Sequence, residues 1–286
     1  MDWWTWPLFV TAICIARLSR TRESAVLAEV VSLSHRWRLP QTWTAHADAV
    51  RRTRSIARGD AVGAVVGSGL GLLVDLLTSA DGYPYGVIVG LWLGMSLGTA
   101  VAAALQVPSA PPGPRVTHAR ALGVDDFSPR WLTVATWAAP ALAVAVVGAA
   151  SALREDPWTE RGSLTGAVVL IVAAVFGVAG FCLVSARAVR APRVARTDLE
   201  LAWQDGFVAR SVIEASAVTT VASLGAVLLA LFPATAASGV PLLIGIAALA
   251  LVSLWPRPQQ TFRRRLWNDR VFELTTEDLE AAPAPS

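Results

Sequence analysis

Six apolar runs dictate what this chain can become: residues 61–78, 85–105, 131–152, 164–186, 211–232 and 240–255. About 18 or more such residues in succession make a helix that crosses a bilayer. The last run is short, but Pro233 and Pro256 bound it. A seventh candidate, 3–16, is shorter and weaker. Helices apolar on every side do not belong to the surface of a water-soluble domain. Charge agrees, because 16% of residues are charged where a soluble domain carries about 25%. The expected fold is an all-α polytopic membrane protein of about seven transmembrane helices, an N-terminal anchor plus three helical hairpins.

Within the second run, Gly86, Gly90, Gly94 and Gly98 recur every four residues. The preceding helix carries Gly59, Gly63, Gly67 and Gly71 at the same spacing. In water a glycine inside a helix costs roughly 1 kcal/mol. In lipid the backbone has no other partner for its amides, so the helix survives, and small residues allow two helices to approach closely. The two stripes are expected to pack as a glycine zipper across the hairpin around Asp81-Gly82, within one chain or between two.

Arginine sets the expected orientation. The chain has no lysine, and 24 arginines carry all of its Lys and Arg charge. If 3–16 spans, all but Arg154 and Arg161 fall on one side of the seven helices. Basic loops stay in the cytoplasm, so the amino terminus is expected outside and the carboxyl terminus inside. Trp3, Trp4, Trp6 and Trp158 would mark the outer interface, and Trp131 and Trp255 the inner one. If 3–16 instead lies in the interface, its start is no longer outside. Arginine without lysine, with abundant alanine, suggests a GC-rich bacterial genome and hence the bacterial plasma (inner) membrane. Cys14 and Cys182 both fall within spans and support neither a disulfide framework nor a metal site.

The divisions that follow are an anchor at 1–18, a cytoplasmic amphipathic segment at 19–60, and hairpin 1 at 61–105. A linker at 106–130, hairpin 2 at 131–186, a linker at 187–210, hairpin 3 at 211–255 and a tail at 256–286 complete the chain. The lead-ins resemble one another. "HADAV" before Arg58 matches "HARAL" before Arg130, and "DDFSPR" matches "DGFVAR" ending at Arg210. A three-fold repeat of hairpins with cytoplasmic lead-in helices is therefore expected. In 23–38, Val26, Val30 and Leu33 share a face, which suits an amphipathic helix on the inner leaflet. The stretch 107–114 reads as a semi-rigid proline-rich linker, 282–286 as a disordered end, and Thr275 with Asp278 as the start of a short helix.

Ionisable residues inside the membrane are the default functional suspects. Asp75 and Glu214 qualify. Asp75 extends the glycine series and would bind a cation or relay a proton, but its place near the outer end lets it reach water. Glu214 follows Arg210 by four residues in the first turn of its span, where the helix dipole and an ion pair both favour an acid. Arg58, Arg130 and Arg210 hold equivalent places in the repeat. They would form a ring for an anionic headgroup or ligand, or serve as three separate positive-inside anchors. Arg263, Arg264 and Arg265 suit anionic lipid.

Signals of catalysis are poor. His35, His46 and His118 lack zinc-ligand spacing. No histidine lies in a span to activate Ser68 of "GSG", Asp125-Asp126 has no second acidic motif, and there is no P-loop. No enzymatic activity, cofactor, metal or nucleic acid is expected. The expected role is a non-enzymatic membrane subunit or assembly partner of a larger complex. Its partners would be anionic inner-leaflet lipids and a membrane or cytoplasmic protein or a second copy. The alternative is a secondary transporter or channel built from three hairpin repeats.

Overall fold

The computed structural model describes residues 5–78, 85–106, 116–118, 121–153, 161–190, 195–231 and 260–272. Among them the protein is all-helical, with eight α-helices and no strand. These are α1 (Thr5–Ser19), α2 (Glu23–Trp37), α3 (Trp43–Thr78), α4 (Tyr85–Leu105), α5 (Arg130–Leu153), α6 (Arg161–Arg190), α7 (Asp198–Leu231) and α8 (Thr261–Trp267). One isolated backbone pairing joins Val116 to Ala195. The run 240–255, the Asp81-Gly82 turn, the linker 107–114, the tail from 273, Arg154 and the aromatic markers Trp3, Trp4, Trp158 and Trp255 lie outside the described residues.

Four stretches are long and apolar enough to cross a bilayer: Ala45–Leu73, Arg130–Leu153, Gly166–Arg190 and Asp198–Leu228. The helices α1 and α4 add the shorter apolar stretches Val10–Ser19 and Gly90–Ala103. The chain is thus built as an integral membrane protein.

Helix α3 has 36 residues and α7 has 34. At 1.5 Å per residue each is about 50 Å long, whereas the hydrocarbon layer needs roughly 30 Å. Both are therefore longer than a bilayer crossing requires. The polar lead-ins to hairpins 1 and 3 are the first turns of these same helices. The second lead-in differs, because a short 3-10 turn, Val124–Asp126, precedes α5. Pro129 immediately before α5 disfavours a helix that continues backwards. The three lead-ins share sequence without sharing a conformation.

The tightest packing in the bundle joins α3 to α4. A Cβ added to Gly67 would lie 2.8 Å from the Gly94 Cα, and one added to Gly98 would lie 3.1 Å from the Gly63 Cα. Carbonyl oxygens stand closer still: Gly59 faces that of Gly98, Gly63 that of Gly94, and Gly67 that of Gly90. Contacts of this kind bring Cα–H groups against carbonyls and leave no room for any side chain. The Gly71 Cα lies 3.0 Å from a Cβ added to Gly90. The seam lies within one chain.

Elsewhere small residues do similar work less closely. Ala143 and Val147 of α5 meet Ala167 of α6 and Ala226 and Ala230 of α7. Ala173 and Ala174 of α6 meet Ala222 of α7, and a Cβ on Gly177 would lie 2.5 Å from the Thr219 hydroxyl. Pro140 sits inside α5, which continues through it.

Candidate functional site

Among the described residues, the polar and aromatic side chains that meet one another gather mainly at the arginine-rich end. Trp37, the last residue of α2, is buried there. Its ring stands edge-on to Trp203 at 5.5 Å, Phe207 at 5.3 Å and Phe262 at 6.0 Å between centroids. Such T-shaped contacts add stability beyond the area they bury. The approach to α7 is possible because residue 206 is glycine, where a Cβ would lie 2.6 Å from the Trp37 Cε3. Trp203 Nε1 donates to the Pro40 carbonyl at 3.0 Å, which fastens the α2–α3 turn to α7. The Arg52 guanidinium stacks 5.8 Å from the Phe207 ring while its Nε donates to Asp48 at 2.6 Å.

The Val26, Val30, Leu33 face of α2 is fully buried, and Val30 and Leu33 join the Trp37 cluster. That face packs on the protein rather than on lipid. The sequence pattern shows that a helix has an apolar face without showing what meets it.

Beneath the aromatic cluster lies Asp205, wholly buried on α7. Its Oδ2 is 2.8 Å from His118 Nε2 and accepts from Trp267 Nε1 at 3.0 Å. The His118 and Trp267 rings meet edge to face at 5.5 Å. One carboxylate thus gathers α7, the segment before α5 and the last helix. Gln260 Nε2 donates to the Arg36 carbonyl at 2.8 Å, and Arg265 donates to the Asp125 carbonyl at 2.6 Å. Arg263 of α8 is buried, and its burial pushes the guanidinium down; Asp269 opposes that and Arg38 reinforces it.

A second set of charges lies where the apolar parts of the helices begin. Arg210 Nη1 donates to Glu29 of α2 at 2.9 Å, and its Nε to Glu214 of α7 at 2.7 Å. Arg17 of α1 pairs with Asp60 of α3 at 3.2 Å. Two arginines and three carboxylates, all partly exposed, tie α2 to α7 and α1 to α3, and each charge has an opposite neighbour.

The three arginines aligned in sequence have different surroundings. Arg210 is in this network with its side chain only 18% exposed. Arg130 is at the surface and pairs with Asp125 at 3.0 Å, and Arg58 is exposed. Asp75 lies on α3 one turn before its end and Gly86 at the start of α4, while their surroundings lie outside the described residues. Among the described residues, no three His, Cys, Asp or Glu side chains come together in a way that would hold a metal.

Sequence reasoning did not single out Asp205, Trp37, Trp267, Glu29 or Asp60. His118 and Asp205 stood in the repeated lead-ins, but 87 positions separate them. Compared with known protein families, with curated proteins and with solved structures, the chain gives no match.

Proposed function

We propose that this protein is a seven-span, non-enzymatic component of a bacterial plasma membrane, with its amino terminus outside and its carboxyl terminus inside. In this reading it acts as a membrane subunit or assembly partner. One observation carries the reading: among the described residues, the charged groups that meet lie at one end, most of them in a collar above spans closed by Gly and Ala contacts. The collar comprises α2, the first turns of α3 and α7, the turn before α5, and α8. A collar at the membrane face, held by its own aromatic and ionic contacts, suits a docking platform better than a permeation path.

The alternative is a transporter or channel, and one feature favours it. Ser211, Ser216, Thr219 and Ser223 form a buried row of hydroxyls on α7. Each donates to the carbonyl four residues before it, at 2.8–3.1 Å, so the row is already satisfied within its own helix.

Purification from native membranes in mild detergent tests the choice. A platform should bring a second protein in fixed stoichiometry. A chain recovered alone that gives ion- or pH-driven flux in liposomes would make it a transporter.

A further inference from the structure

Helix α2 has a second apolar face. Leu27 and Val31 are 36% and 43% exposed, roughly a third of a turn from the Val26, Val30, Leu33 stripe. Ser24 and Ala28 extend this outward face and are exposed as well. A cytoplasmic helix with one side buried in protein would ordinarily be polar on the other.

The position of α2 explains the pattern. Only residues 20–22 separate it from α1, so it starts beside the end of a membrane-embedded apolar helix. The Glu29–Arg210 pair then fixes both its height and its roll, at the level where α7 becomes apolar. Arg20 and Arg22 precede the outward face and Arg38 follows it, and all three are exposed. None of the three forms an ion pair with a described residue. An apolar stripe bracketed by arginines at this level matches the boundary of an anionic leaflet, where the stripe enters the acyl layer and the guanidiniums meet phosphates.

We infer that the Leu27–Val31 face of α2 is a lipid-binding face, seated in the inner leaflet with Arg20, Arg22 and Arg38 on anionic headgroups. The inference rests on the membrane reading and not on the subunit role, which co-purification tests separately.

The test uses the full-length protein with Cys14 and Cys182 replaced by alanine, carrying Leu27→Cys, Val31→Cys or Arg51→Cys. Each variant is labelled with a fluorophore and reconstituted in phosphatidylcholine vesicles with or without phosphatidylglycerol. The exposed Arg51 supplies a water-facing reference on the projecting part of α3. Brominated lipid should quench labels at 27 and 31 roughly threefold more than the label at 51, and aqueous iodide should do the reverse. Adding Arg20→Gln and Arg22→Gln should remove the extra quenching that phosphatidylglycerol brings. Iodide quenching at 27 and 31 equal to that at 51 would overturn the inference and give the face to water or to a protein partner. Because Leu27 and Val31 are surface residues, their labels leave the core intact.

Discussion

Gly63 and Gly94 stand in reciprocal contact, each with its Cα beneath the carbonyl of the other. Neither position has room for a methyl group without a shift of backbone. Gly63→Leu, Gly67→Leu and Gly94→Leu are each expected to lower stability by more than the 1–3 kcal/mol or so typical of overpacking, since the obstacle is main chain. Gly69 has nothing within 4 Å of an added Cβ, so Gly69→Leu is the matched control and should be neutral. Thermal unfolding in detergent measures all four. Equal midpoints would mean that the seam does not hold the pair together.

A single methyl tests the collar. Gly206→Ala would press a Cβ to within 2.6 Å of the Trp37 ring and should cost about 1–3 kcal/mol. Trp37→Ala should cost more, about 3–5 kcal/mol, by leaving a cavity among Trp203, Phe207 and Phe262. Near-ultraviolet circular dichroism reports both, because the loss of fixed aromatic packing removes that signal. An unchanged spectrum in Gly206→Ala would contradict the close approach of α2 to α7.

Arg210, Arg130 and Arg58 should separate sharply on substitution. Arg210→Met strands Glu29 and Glu214 and is expected to cost roughly 3 kcal/mol. Arg130→Met and Arg58→Met should fall within about 0.5 kcal/mol of the parent, since both side chains are at the surface. Comparable losses in all three would instead support a shared ring. Adding Glu29→Gln to Arg210→Met should recover part of the loss.

Asp205→Asn keeps the shape of the side chain and removes the charge that His118 and Trp267 approach. It should loosen α8 before it unfolds the bundle, at a cost of about 1–3 kcal/mol. Limited proteolysis reads this directly, as faster cleavage after Arg264 or Arg265 with the helical content retained. Cleavage at the parent rate would show that Asp205 does not hold the last helix.

The seven-span orientation predicts a reporter pattern. A periplasm-active reporter fused after Asp81, Asp156 or Ala237 should be active, and one after Arg120, Arg196 or Arg270 silent. The inverse pattern would reverse the arginine assignment. Activity after Asp48 would remove only the first span.

The apolar helices were legible because lipid forces every amide in them to pair within the helix, so run length alone defines the element. Helix α4 occupies 85–105 as the apolar run does, α5 extends its run by one residue at each end, and α6 by three and four. The collar was not legible in the same way. Nothing within ten residues of Asp205 points to His118, because their contact depends on how α7 and the segment before α5 are juxtaposed. The periodicity of α2 revealed the Val26, Val30, Leu33 face, yet the same stripe serves a bilayer or a tryptophan cluster. Helix α3 was divided at its change of composition, although a backbone hydrogen-bond ladder is indifferent to whether the side chains around it are polar.

The regular spacing of the glycine seam has a cost of its own. Two combs of equal pitch fit as well after a shift of one tooth, and here a tooth is four residues, about 6 Å along the axis. The seam therefore grips without recording its own phase. Among the described residues that information comes from aperiodic contacts, such as Gly59 against the Ala102 Cβ and Gln106 donating to the Arg52 carbonyl at 3.2 Å. The collar's end of the hairpin is thus one place where the alignment of the α3–α4 pair is held.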